Sequence, residues 1–69
     1  MFITMQNTII NVGEIRNVEK LTACDSIFIY FKKPTSPRDY IRLDYDNASE
    51  ECKKDFKRLV EACANYKNN

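Results

Sequence analysis

Residues 46–66 read Asp46-Asn47-Ala48-Ser49-Glu50-Glu51-Cys52-Lys53-Lys54-Asp55-Phe56-Lys57-Arg58-Leu59-Val60-Glu61-Ala62-Cys63-Ala64-Asn65-Tyr66, and this stretch decides the fold. Asn47 followed three residues later by Glu50 is the spacing of a reciprocal N-terminal cap, so the sequence predicts a helix over 47–66. Cys52, Phe56, Leu59, Val60 and Cys63 recur at steps of four, three, one and three. That spacing keeps them on one stripe of a 3.6-residue period, with Phe56 at its centre, so one helix face is expected to be buried.

The opposite face carries Glu50, Glu51, Lys53, Lys54, Lys57, Arg58 and Glu61. Acids in the first turn and bases further along suit the helix dipole, and Glu50 to Lys54 has the favourable four-residue order for a weak ion pair. A solvated face accounts for these charges. A basic ridge of Lys53, Lys54, Lys57 and Arg58 offered to phosphate is the alternative, opposed by the acids interleaved with it.

A chain of 69 residues makes one domain, at a size where a single core gives only a few kcal/mol of net stability and association with a second copy would help. There is no His, and the three Cys (24, 52 and 63) have no paired C-x-x-C spacing, so no metal site is expected. Cys52 and Cys63 lie eleven residues apart on one helix, about 16 Å, beyond the reach of a disulfide. All three thiols are therefore read as reduced and the compartment as cytoplasmic. The N-terminus lacks a basic leader with an apolar run, and no stretch approaches the ~20 apolar residues of a membrane span. Eleven basic residues against ten acidic ones leave no field for a dedicated duplex binder.

From the start of the chain, residues 2–5 read as a short strand turning at Asn7, and Thr8-Ile9-Ile10 as its return. Asn11-Val12-Gly13-Glu14 repeats the Asn-to-Glu capping spacing around the only Gly, which predicts one helical turn with Val12 and Ile15 closing an end of the core. Residues 18–21 form a weak strand. Residues 26–33 carry the strongest β signal: Ile27, Ile29 and Phe31 alternate with Phe28, Tyr30 and Lys32, so this strand is apolar on both faces and central. Lys33-Pro34-Thr35-Ser36-Pro37-Arg38-Asp39 is a connecting loop. In residues 40–45, Ile41, Leu43 and Tyr45 turn to the core while Tyr40, Arg42 and Asp44 turn away. The sum is an α+β fold, an antiparallel sheet of three to five strands over residues 2–46 packed on one C-terminal helix, with residues 67–69 a frayed tail.

Without His, acid–base and nucleophilic catalysis lose their commonest base. Asp44 and Asp46 face the same way at about 7 Å by strand rise, but a solvent-facing strand residue and a helix N-terminal charge account for them. Gly13 stands alone, so there is no phosphate-binding glycine loop. The sequence predicts a protein that is not an enzyme and takes no cofactor or metal.

The second sheet face is harder to dismiss. Phe28, Tyr30 and Tyr40 point away from the helix with Lys32 and Arg42 beside them, and exposed aromatic patches on small proteins mark binding surfaces. Three readings stand: an interface for a second copy or another protein, which leads; a platform for single-stranded nucleic acid, with rings to stack bases and basic neighbours for phosphate; and a face covered by residues 2–5. The Gly-aromatic signature of RNA-binding sheets is missing.

Asn7 in a turn, followed by Ile9-Ile10-Asn11-Val12-Gly13-Glu14-Ile15-Arg16-Asn17-Val18, resembles the opening of small bacterial and phage single-domain proteins built as a β-meander plus a C-terminal helix. The resemblance runs over nearly the whole chain. It implies that fold and an origin in a phage or mobile element, with inhibition or regulation of a host protein as the natural role; it brings no functional motif.

Overall fold

The computed structural model describes residues 1–21, 23–33 and 40–67. The prolines of the predicted loop therefore lie outside the described residues. The chain opens with a hairpin, β1 (Phe2–Met5) and β2 (Thr8–Asn11), paired from Phe2 against Asn11 to Met5 against Thr8. Gln6 and Asn7 join the strands with φ of 49° and 60°. Two successive left-handed residues make the tight turn whose twist matches a hairpin, and Asn tolerates that region well.

A 3-10 turn, Val12–Glu14, follows as predicted, with Asn11 Oδ1 accepting from the Gly13 N–H at 3.1 Å. The chain then enters a three-stranded antiparallel sheet, β3 (Ile15–Leu21), β4 (Ser26–Phe31) and β5 (Tyr40–Asp44), with β4 in the centre. β3 starts three residues before the predicted strand. It can do so because of a bulge at Arg16: Ile15 stands opposite Phe31 while Asn17 already stands opposite Tyr30. Ile15 and Val18 are an odd number of residues apart and would face opposite sides of a regular strand. The extra residue returns both to the core.

The helix α1 spans Ser49–Lys67, beginning two residues after the predicted start. Asp46 and Asn47 take left-handed φ of 34° and 61°, and the Ala48 N–H donates to the Tyr45 carbonyl at 2.8 Å. Asn47 thus closes a tight turn rather than capping the helix. Ala48 provides the first helical acceptor, to the Cys52 N–H at 3.0 Å. From Glu50 the ion pair formed is with Lys53 at 3.8 Å, one residue short of the expected partner.

Between hairpin, sheet and helix lies one core of Met5, Ile10, Ile15, Ile27, Ile29, Leu43, Tyr45, Cys52 and Leu59. The expected helix stripe is corrected in two places: Phe56 is only half-buried, and Val60 is 45 % exposed. Cys52 and Leu59, also of the expected stripe, are fully buried and form its centre, with Phe56 and Cys63 packed against the core beside them. At about 100° per residue, Phe56 lies about 60° and Val60 about 100° from Leu59, so both flank the true centre of the stripe. Beyond Phe31, Lys32 has left β4, with its N–H donating to the Glu14 carbonyl at 2.8 Å.

Tyr45 makes the polar joint of this core. Its hydroxyl donates to Asp55 Oδ2 at 2.7 Å, and Arg58 approaches the other oxygen of Asp55 at 3.4 Å. Burial first, and then the bond to Asp55, hold the phenol far above the ordinary tyrosine range. The three thiols differ as sharply: Cys24 is exposed, Cys63 half-buried and Cys52 buried, with burial pushing the Cys52 thiol up. A thiol reagent in native buffer is therefore expected to modify Cys24 quickly and Cys52 only on the timescale of unfolding. Mass spectrometry of the digested, partly labelled protein checks this; fast labelling of Cys52 would contradict the packing of the helix.

Candidate interaction face

In an antiparallel ladder, residues directly opposite share a face. The register therefore gives the outer face of the sheet three rows: Leu21, Ser26 and Asp44; Glu19, Phe28 and Arg42; Asn17, Tyr30 and Tyr40. Phe28 stacks on Tyr40 with ring centroids 5.5 Å apart and planes at 15°, Tyr30 meets Tyr40 at 5.6 Å, and Phe28 and Tyr30 are 6.5 Å apart. The three rings form one cluster, within the range where aromatic pairs add to simple area burial.

Guanidinium groups sit over two of the rings. Arg42 lies 5.6 Å from the centroid of Phe28, and Arg16, turned by the bulge, lies 5.6 Å from that of Tyr30. Two acids sit beside the cluster, Asp44 at Arg42 and Glu19 at Tyr30. Arg42 Nε donates to Asp44 Oδ1 at 2.6 Å, the same oxygen accepts from Ser26 Oγ at 2.6 Å, and Tyr30 Oη approaches Glu19 Oε2 at 3.5 Å. The bond from Ser26, and then that from Arg42, hold the Asp44 carboxyl below its usual range, while Asp44 raises Arg42. The face is thus aromatic at its centre and carries Arg16, Arg42, Glu19 and Asp44, two charges of each sign.

The structure brings together four of the five residues singled out in the sequence: Phe28, Tyr30, Tyr40 and Arg42. Lys32 is not among them. It lies on the other side, lining a recess with Val12, Gly13, Ile15, Cys63 and Tyr66. Sequence reasoning missed Arg16, because only the bulge turns it to this face, and Glu19, because the register of β3 was not legible. Asp44 is a partner of Ser26 and Arg42, and Asp46 belongs to the left-handed turn; the two line one recess with Asp25 and Arg42. The hairpin does not cover the rings. Met5 and Ile10 pack into the core with the helix, Arg58 reaches the Thr4 carbonyl at 3.5 Å, and Gln6 donates to the Asp44 carbonyl at 2.7 Å. Among the described residues no cluster of His, Cys, Asp or Glu could hold a metal ion, and no helix is long and apolar enough to cross a membrane.

The chain matches the family model described as a domain of unknown function (DUF8732) over residues 3–69, and it belongs to that family. No curated protein and no solved structure matches it.

Proposed function

We propose that this family member is a small protein-interaction module that self-associates through the outer face of its sheet and works by assembling or occluding a protein partner. The observation that carries the reading is the composition of that face: three mutually packed rings ringed by two arginines and two carboxylates. Aromatic and Arg anchors supply most of the energy of protein interfaces. A patch with equal numbers of both charges can meet its own copy across a two-fold axis with opposite signs in register. In a phage or mobile element, the partner so occluded would be a host protein.

Single-stranded nucleic acid is the second reading, favoured by the two guanidiniums lying over rings on which bases could stack. Glu19 and Asp44 oppose it, since each would face a phosphate.

Tyr30→Ser separates the two. Under the interface reading it lowers the solution mass seen by light scattering, and added salt changes that mass little. Under the nucleic-acid reading the wild-type protein binds a labelled oligonucleotide with an affinity that falls as salt rises, and losing Tyr30 costs about 1–3 kcal/mol of it. A wild-type protein that is monomeric at millimolar concentration would overturn self-association. Because Ile9 is 73 % exposed on the hairpin, Ile9→Ser is the matched control, expected to leave the mass unchanged.

A further inference from the structure

The helix carries a second stripe that the core does not use. Lys53, Lys57, Val60 and Ala64 follow one another at steps of four, three and four, which keeps them on one side of α1. That side borders β3. Between the strand and the second half of the helix lies an open groove of about 310 Å³ whose lining includes Ile15, Val18, Val60, Cys63 and Ala64. β3 itself is an edge: among the described residues it pairs only with β4, through six of its seven residues. Backbone groups along such an edge are a template for another strand. Lys20, half-buried and opposite Ile27 in the ladder, faces the helix side at the other end of the same edge.

We propose that the β3 edge and this groove take an extended acidic segment of a partner protein as an added strand, with its apolar side chains on Val18, Val60 and Ala64 and its carboxylates at Lys20, Lys53 and Lys57. Strand addition draws affinity from main-chain hydrogen bonds and specificity from the pockets that receive alternate side chains. The charges name the partner. Beyond the groove, Lys20 continues its strand side and Lys53 and Lys57 its helix side, whereas Glu61 lies on the side of the helix turned away from the sheet and Glu19 faces the aromatic cluster. Glu50 does pair with Lys53, at 3.8 Å between two exposed side chains, a weak contact that a bound carboxylate can replace.

A second copy fits this edge poorly. Antiparallel pairing of β3 with itself about Val18 brings Lys20, Lys53 and Lys57 of one copy toward those of the other, a gathering of like charges that disfavours the pairing. Nucleic acid fits it poorly as well, because Val60, Ala64 and Val18 offer no ring for a base to stack on. The groove opens on the helix side of the sheet and meets the aromatic face only at Arg16 and Asn17, so it does not depend on the reading given to that face.

The test uses the whole chain and an end-capped synthetic peptide, Glu-Thr-Glu-Thr-Val-Thr-Val. Laid antiparallel to β3, one face of this peptide offers two carboxylates to the lysines and two valines to the groove. The control peptide has lysine in place of each glutamate. Expected are slower amide hydrogen exchange within β3 on adding the acidic peptide, weakening of that binding by salt, and no binding of the lysine peptide. The double variant Lys53→Glu, Lys57→Glu changes exposed residues and should lose about tenfold or more in affinity with an unchanged circular dichroism spectrum. Tyr30→Ser should bind the peptide as the wild type does. Any of three results overturns the proposal: no slowing in β3 at millimolar peptide, equal binding of the two peptides, or β3 protection that rises with protein concentration alone, which would assign the edge to a second copy.

Discussion

Leu59→Ala is expected to cost about 3–5 kcal/mol, the upper part of the range for deleting a fully buried leucine, and to leave the domain largely unfolded at 25 °C. Leu59 sits where the helix meets Ile10 from the hairpin and Ile27 and Ile29 from the central strand, all at 0–1 % exposure. Removing it opens a cavity that three separate elements would have to close, and a 69-residue chain has little stability in reserve. Phe56→Ala should cost less, because the ring is only half-buried, and Val60→Ala should change stability by no more than about 0.5 kcal/mol. Chemical denaturation followed by circular dichroism ranks the three. A Phe56→Ala variant less stable than Leu59→Ala would mean that the helix is rotated from the position described.

Tyr45→Phe is the second large effect, expected at about 1.5–3 kcal/mol because it removes a hydrogen bond to a charged acceptor and leaves Asp55 short of a donor inside the domain. Its pH dependence has a definite sign. The folded protein holds the Tyr45 phenol above its ordinary value, so the unfolded chain is the first to lose the proton as pH rises. The stability contributed by the neutral phenol is complete below about pH 10, the ordinary tyrosine value, and declines above it. The stability gap between wild type and Tyr45→Phe should therefore be flat across neutral pH and narrow above about pH 10. A gap that widened in alkali would contradict the bond to Asp55.

How far the sequence reveals this molecule depends on whether a feature is local. Alternation in Ile27-Phe28-Ile29-Tyr30 and in Tyr40-Ile41-Arg42-Leu43 fixes which side chains share a face, because a period of two has only two outcomes, and these residues face as expected although both strands end one or two residues early. The helix is equally plain as an element, yet its buried line is not. Phe56 and Val60 satisfy the 3.6-residue pattern as well as Cys52 and Leu59 do, and only the angle at which the helix crosses the sheet chooses between them. Asp46-Asn47 suits both a helix cap and a left-handed turn, and the turn out of β5 wins. The site was legible to the same degree. Its rings and Arg42 follow from alternation, whereas Arg16 arrives through a bulge that no spacing in the sequence announces, and Lys32 departs because β4 ends one residue before it.

The claim that the aromatic cluster is the surface of self-association is tested most directly by its own side chains. The chain has four tyrosines, two on the proposed face (Tyr30 and Tyr40), one in the core (Tyr45) and one on the last turns of the helix beside Gly13 (Tyr66). With all four replaced by 3-fluorotyrosine, a fluorine NMR dilution series should move the resonances of Tyr30 and Tyr40 together and leave those of Tyr45 and Tyr66 in place. Stationary Tyr30 and Tyr40 signals across a range in which the solution mass changes would contradict the account.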